Sequence, residues 1–209
     1  YKDKAFLPND MRVLVGCRDR VRIEGNGPRE LLASDGKVYI NTYFSDIINV
    51  LDPQSLDLSS TAINASRTES PAERGERYFN DASLCFQSWQ SCSSCHPGGA
   101  RADALNWDNL NDGIGNAKQT RSLLYSMQTP PSMISGIRKD AETAVRAGFI
   151  HIQMHEPDDE TVSSVCAYLG GMEAVPSPYL VKGKLSTKAR QGRKLYKEWG
   201  CAECHPGPF

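Results

Sequence analysis

The sequence predicts a mainly helical protein that begins with an antiparallel β element. Two patterns support this fold class. Apolar and polar residues alternate between turn signals in residues 1–52, whereas apolar residues recur at helical spacing from about residue 70 onwards. A third observation is a Cys-x-x-Cys-His unit that occurs twice, each time shortly after a predicted helix. The chain of 209 residues is long enough for one or two domains.

The N-terminal β element is predicted from its turns. Asp35-Gly36 is a strong hairpin signal, and a second turn signal lies at Ser45-Asp46. Between the two turns, alternating strand residues occur at Val38, Ile40, Thr42 and Phe44. The segments GNGPR, DGKVYI and SDIINVLD resemble the YVTN-type β-propeller repeat, which implies that residues 1–52 form one blade of an incomplete propeller. An unrelated antiparallel sheet is the alternative.

A polar linker rich in Ser and Thr is predicted at residues 53–69, and helices are predicted after it. Ser70 and Glu73 form a capping box with Pro71 at the first helical position, so a helix should run to about Asn80. Apolar spacing and terminating glycines predict three further helices, at residues 141–150, 162–169 and 187–199.

The Cys-x-x-Cys-His unit predicts covalent attachment of c-type haem. Two thiols add to the two vinyl groups of one haem and the adjacent His binds the iron, so the chemistry needs these residues in this order. Zinc would need four ligands around one point, and disulfides would not need the His; both remain alternatives. The predicted haem-attaching residues are Cys92, Cys95, Cys201 and Cys204, with His96 and His205 as proximal iron ligands.

The segment before each motif is also repeated. AERGERYF at residues 72–79 matches ARQGRKLY at residues 189–196, with a shared Ala, a Gly three residues later and two large residues. Repetition of helix and motif together indicates duplicated haem domains, predicted at residues 70–175 and 176–209, with the second truncated. These units resemble the helices of cytochrome c folds, in which the small Gly permits a close helix crossing.

The helix-plus-motif units resemble the dihaem cytochrome c peroxidase superfamily, over about residues 70–209. RQGRKLYKEWGCAECHPGPF is similar to the start of its second haem domain, and QTRSLLYSMQTPPSMISGIR to the segment after its first haem. The resemblance implies cytochrome c-like haem domains in a secreted redox protein that transfers electrons and, as a peroxidase-like oxidoreductase, reduces peroxide. A pure electron-transfer subunit and a propeller-based binding protein with ancillary haems are the alternatives.

Further site residues follow from this resemblance. Glu142 is the candidate catalytic acid or base, and Met127 and His151 are the candidate distal iron ligands. The Asp- and Asn-rich segment 101–116 is a candidate Ca²⁺ site, with turn capping by these side chains as the alternative.

Composition limits the partners. With 24 Lys and Arg against 25 Asp and Glu, the net charge of −1 argues against a nucleic-acid or anionic-membrane partner. No apolar run is long enough to span a bilayer. Covalent haem attachment predicts a periplasmic or extracellular location, redox partner proteins, and further subunits or missing parts of a longer chain. The state of the three remaining cysteines is left open: Cys17, Cys85 and Cys166.

Overall fold

The computed structural model of the chain describes residues 15–64, 68–101, 106–107, 118–133 and 135–205. It divides into two compact units, Tyr1–Gly170 and Gly171–Phe209. The strands are β1 (Pro28–Ser34), β2 (Lys37–Thr42), β3 (Ile47–Leu51), β4 (Leu58–Ala62), β5 (Asn106–Trp107) and β6 (Lys118–Gln119). The helices are α1 (Pro71–Asn80), α2 (Cys92–Cys95), α3 (Ala141–His151), α4 (Asp159–Gly170), α5 (Thr187–Glu198) and α6 (Cys201–Cys204).

The predicted fold class, mainly α cytochrome c-like domains behind a partial β element, is wrong. Helices account for only 36% of the described residues, and four strands form one antiparallel sheet. Strand β4 lies in the segment that was predicted to be a linker. The prediction missed this strand because its sequence LSSTA lacks apolar alternation and its side chains are mostly exposed. Its pairing with β3 depends on backbone hydrogen bonds, which leave no periodic signal. The predicted domain limits stay predictions.

The sheet has the strand order β1-β2-β3-β4, each strand antiparallel to the next. The predicted Asp35-Gly36 turn is confirmed, since both residues have positive φ, 50° and 72°, and Ser34 pairs with Lys37 across the turn. Asp46, in the second predicted turn, also has a φ of 50°. The two turn signals therefore set the register of the first three strands.

Asn49 is the polar centre of the sheet and is fully buried in β3. Its Oδ1 accepts hydrogen bonds from the Glu24 backbone N–H at 2.9 Å and from the Ser60 hydroxyl at 2.9 Å. Its Nδ2 donates to the Glu24 carbonyl at 3.0 Å. One buried amide thus ties the segment before β1 and strand β4 to β3, and every polar atom of that side chain has a partner.

Helix α1 begins at the predicted capping box. The Ser70 hydroxyl accepts from the Glu73 backbone N–H at 3.3 Å, and the Glu73 carboxylate accepts from the Ser70 N–H at 2.8 Å. The predicted helices at residues 141–150, 162–169 and 187–199 are also confirmed, as α3, α4 and α5.

Helix α1 crosses α4 at close range, and Gly75 lies at the crossing point. A Cβ atom built on Gly75 would collide with the backbone carbonyl of Ser164 and would lie 2.9 Å from the Cβ of Tyr168. Phe79, one turn further along α1, and Val165 of α4 are each 1% exposed, so the crossing is the apolar core of the first unit. The predicted role of a small residue in a close helix crossing is confirmed at this position.

The sheet is joined to α1 by Arg29. Its Nη2 lies 2.9 Å from Glu76 Oε1, and its guanidinium carbon lies 4.0 Å from the centre of the Tyr43 ring. The Tyr43 hydroxyl donates to Glu76 Oε2 at 3.3 Å. One charged residue of β1 therefore connects the sheet to the helix that precedes the first Cys-x-x-Cys-His motif.

The second unit contains α5 and α6, and α5 has no buried side chain. Its apolar residues Leu195 and Tyr196 are exposed, and Gly192 has no described atom within 4 Å of where a Cβ would be. Within the described part of the chain, none of the helices is both long and apolar enough to cross a bilayer.

We expect Gly75→Ala to destabilise the first unit by about 2–3 kcal/mol, because the added methyl group meets a backbone carbonyl that cannot move without separating α1 from α4. Gly148→Ala in α3 is the matched control, since nothing lies within 4 Å of its Cβ position. The control should gain up to ~1 kcal/mol from helix propensity. Urea unfolding followed by circular dichroism measures both, and equal effects of the two substitutions would contradict the packing role.

Candidate functional site

The first Cys-x-x-Cys-His motif forms a single helical turn. Helix α2 begins after Ser91, whose N–H donates to the Ser94 hydroxyl at 3.0 Å. Cys92 and Cys95 are three residues apart, so they lie on the same side of this turn. The His96 backbone N–H donates to the Cys92 carbonyl at 2.9 Å and ends the helix. Two thiols and one imidazole are therefore held within one turn of backbone.

The second motif folds in the same way. Helix α6 follows Gly200, which has a φ of 75°, and the His205 N–H donates to the Cys201 carbonyl at 2.9 Å. The backbone angles of the two histidines agree closely, φ −111° and ψ 75° for His96 against φ −120° and ψ 63° for His205. The Tyr196 hydroxyl donates to the His205 carbonyl.

The imidazole of His96 is oriented by the backbone. Its Nδ1 donates to the Arg121 carbonyl at 3.1 Å, so Nε2 is the ring nitrogen presented to a metal. The ring centroid of Phe79 lies 6.5 Å from that of His96. Burial lowers the pKa of His96 below its ordinary value, an effect opposed in part by the hydrogen bond to Arg121. The imidazole is therefore neutral at neutral pH, which is the form that binds metals.

The Cys92 thiol is enclosed by the C-terminal end of α3. The pKa of Cys92 is raised to about 12, chiefly by burial and to a smaller extent by the nearby thiols of Cys95 and Cys85. Gln153 opposes this effect, because its Nε2 donates to Cys92 Sγ at 3.0 Å. Burial also raises the pKa of Cys95. Both sulfurs are thus protonated thiols at neutral pH in the structure.

The α1–α4 core supports the loop that follows the first motif. The Phe79 ring centroid lies 5.4 Å from that of Tyr168, and the Tyr168 hydroxyl donates to the Gly99 carbonyl at 3.2 Å. The next residue, Ala100, is fully buried, and its carbonyl accepts from the Leu123 N–H at 2.8 Å. These contacts hold the chain on both sides of the His96–Arg121 hydrogen bond.

The other candidate residues lie on separate elements. Glu142 is exposed in the first turn of α3, and His151 is exposed at the end of the same helix. Met127 is half-buried in a 3-10 turn and packs near Gly170 at the end of α4. The structure does not test their roles as acid or base and as distal ligands, which stay predictions. Most of the predicted calcium segment 101–116 lies outside the described residues.

The two alternatives to haem can be compared with the geometry. All seven cysteines are free thiols, so neither Cys-x-x-Cys pair forms a disulfide in the structure. Among the residues that the structure describes, no group of three or more His, Cys, Asp or Glu side chains could hold a metal ion. A tetrahedral zinc site takes four ligands around one point, whereas haem attachment takes two thiols and one imidazole from each motif; the choice of haem stays a prediction.

Comparisons with known proteins find similarity to hydrazine synthase. No family model matches the chain. The chain is 28% identical over 148 residues to the gamma subunit of hydrazine synthase from Kuenenia stuttgartiensis, a match that covers 64% of this chain and 42% of the relative. A solved structure of hydrazine synthase from the same organism, pressurised with xenon, matches with a TM-score of 0.56 and 25% identity. That match covers 69% of this chain and 51% of the solved chain. The chain thus spans about half the length of these proteins.

These matches correct the family resemblance. The predicted membership of the dihaem cytochrome c peroxidase superfamily is wrong, and so is the predicted YVTN-type propeller blade, because both matches are to hydrazine synthase. The predicted peroxidase-like cytochrome function, with electron transfer and peroxide reduction, is wrong for the same reason. The relative is named as a subunit, which agrees with the prediction of further subunits.

Sequence reasoning missed Gln153 and the Arg121 carbonyl. Gln153 lies in FIHIQMHEP, where the neighbouring His and Met residues attract attention as metal ligands and a Gln carries no motif. The carbonyl of Arg121 is a backbone group, so no residue type marks it. Both contacts join residues that are distant in sequence, and only the packing of α3 and of the loop after α2 could reveal them.

We expect Cys92 of the haem-free chain to react with iodoacetamide at pH 8 at least about tenfold more slowly than the exposed Cys204. The reason is that a thiol with a pKa of about 12 is only ~10⁻⁴ thiolate at this pH, and the thiolate is the reactive form. Peptide mass spectrometry of timed samples measures both rates. The same labelling in denaturant is the control and should bring the two rates together. Equal rates in the folded chain would show that Cys92 is not enclosed.

Proposed function

We propose that this chain belongs to a gamma-type subunit of a hydrazine-forming complex and carries a c-type haem at each of its two Cys-x-x-Cys-His motifs. The observation that carries the proposal is the sequence similarity to hydrazine synthase subunit gamma over 148 residues, and the backbone match to a solved hydrazine synthase chain supports it. The chain spans only part of those proteins. We therefore also propose, and do not infer from this chain alone, that the complete complex forms hydrazine and contains further subunits.

The residues of both motifs fit a covalently bound haem. Each pair of cysteines lies on one side of a single turn, and each His ends that turn with nearly the same backbone angles. His96 adds a Nδ1 hydrogen bond to a carbonyl, which fixes the ring and increases the basicity of Nε2. When bound, such a haem supplies a redox-active iron whose potential depends on its ligands and burial.

The described residues enclose the first motif in part. Cys92, Cys95 and His96 are each partly or largely enclosed, whereas Cys204 and His205 are exposed in the structure. We further propose a location outside the cytoplasm, because haem is attached to thiols of this kind there.

The cofactor is tested by intact mass after production in a host that attaches c-type haem. We expect a mass increase of two haems, which falls to one in Cys92→Ala/Cys95→Ala and to one in Cys201→Ala/Cys204→Ala. Cys17→Ala, an exposed cysteine outside both motifs, is the control and should keep two. A wild-type mass equal to the bare polypeptide would refute the haem proposal and leave the similarity to hydrazine synthase untouched.

The complex is tested on the complete native protein. We expect the protein that contains this chain to copurify with other subunits under mild conditions and the assembly to form hydrazine, detected by derivatisation and mass spectrometry. Dissociation of the other subunits should abolish hydrazine formation, and adding them back should restore it. A monomeric protein that forms no hydrazine with or without such partners would contradict the assignment.

A further inference from the structure

We infer that Gln153 is a positioning residue that holds the Cys92 thiol in the orientation needed for thioether formation. The inference rests on the proposed function, because it presupposes that haem is attached at the first motif. It assigns a role to a side chain that belongs to no motif and is not a metal ligand.

The first observation is the contact itself. Gln153 is only 4% exposed, and its Nε2 lies 3.0 Å from Cys92 Sγ across 61 positions of sequence. Its Oε1 is also buried and has no hydrogen-bond partner among the described residues. Burying an amide with one unsatisfied atom costs free energy, so a purely structural residue would be better replaced by an apolar one of the same size.

The second observation is that the backbone fixes Gln153 on both sides. Its N–H donates to the Gly148 carbonyl at 3.0 Å, and its carbonyl accepts from the Phe86 N–H at 2.8 Å. The preceding carbonyl, that of Ile152, accepts from Gln90 Nε2 at 3.1 Å. The end of α3 is thereby tied to the segment that leads into α2, and these bonds hold the Gln153 backbone beside Cys92.

The amide can restrain the thiol in either orientation. In the structure Nε2–H donates to the sulfur, and a half-turn of the amide would instead bring Oε1 to the S–H as an acceptor. The second orientation would give the buried Oε1 the partner that it lacks among the described residues. One side chain therefore limits rotation of the thiol about its Cα–Cβ bond, whichever hydrogen bond is formed.

The bond that this orientation serves is redox-neutral. When haem is bound, the Cys92 S–H would add across a vinyl C=C: the S–H bond and the C=C π bond would be lost, and an S–C bond and a C–H bond would form. The sulfur bonds to the vinyl carbon next to the ring, and the proton ends on the terminal carbon. No oxidant, reductant or leaving group is consumed, so the protein contributes only the position of the thiol.

The role is specific to one of the four cysteines. Within the described part of the chain, no side-chain amide donates to the sulfur of Cys95, Cys201 or Cys204. Cys95 lies on the same helical turn as Cys92 and would react with the other vinyl group of the same haem. The ratio of thioether formation at Cys92 to that at Cys95 therefore measures positioning by Gln153. General misfolding would instead reduce thioether formation at both cysteines.

The test uses the full chain in its haem-free form, incubated without oxygen with iron protoporphyrin IX reduced by dithionite. Free thiols are then alkylated, and thioethers at Cys92 and Cys95 are quantified by peptide mass spectrometry over time. In Gln153→Leu we expect the rate at Cys92 to fall about fivefold relative to Cys95, the effect of one lost hydrogen bond. Gln90→Leu is the matched control, since it removes a hydrogen bond to the same segment without touching Cys92, and should keep the wild-type ratio.

Each outcome decides the inference. The inference is overturned if the ratio of the attachment rates at Cys92 and Cys95 is unchanged in Gln153→Leu, or if that ratio falls equally in Gln90→Leu. In either case, haem attachment by the wild type still upholds the proposed cofactor. No attachment by the wild type at either motif would overturn both. Circular dichroism checks folding, and if Gln153→Leu does not fold, Gln153→Met decides in its place, since Met has nearly the same length and no N–H donor.

Discussion

The close crossing of α1 and α4 is the contact on which the first unit depends. Because Gly75 has no side chain, the backbone of α1 can lie against the Ser164 carbonyl, and the two helices bury Phe79 and Val165 between them. The same approach brings Phe79 towards the imidazole of His96 and lets Tyr168 reach the loop after α2. A core contact between two helices thus determines the position of a residue in the candidate site.

The candidate site combines a local turn with long-range restraints. The turn of α2 brings two thiols and one imidazole together without help from the rest of the chain. Its chemical properties depend on other elements, since burial keeps the Cys92 thiol protonated and the Arg121 carbonyl orients His96. The second motif has the same turn of backbone.

Several local features could be predicted because neighbouring residues determine them. The Asp35-Gly36 turn, the Ser70–Glu73 capping box and the helices from Ala141 to Glu198 follow from backbone preferences and apolar spacing. The family resemblance failed because a glycine-containing helix followed by Cys-x-x-Cys-His constrains only a short segment. Such a segment contains the residues for haem attachment, but it does not determine the fold of the residues around it. Strand β4 escaped prediction because polar, exposed side chains give no period.

The sequence by itself determined the turns, the helix starts, the two motif turns and the identity of the residues that could attach haem. Tertiary structure alone decided that Gln153 contacts Cys92 and that Arg121 contributes its carbonyl to His96. The physical reason is the range of the interactions. Turns and caps are settled among residues a few positions apart, whereas burial and contacts across 25 or 61 positions exist only once the helices have packed.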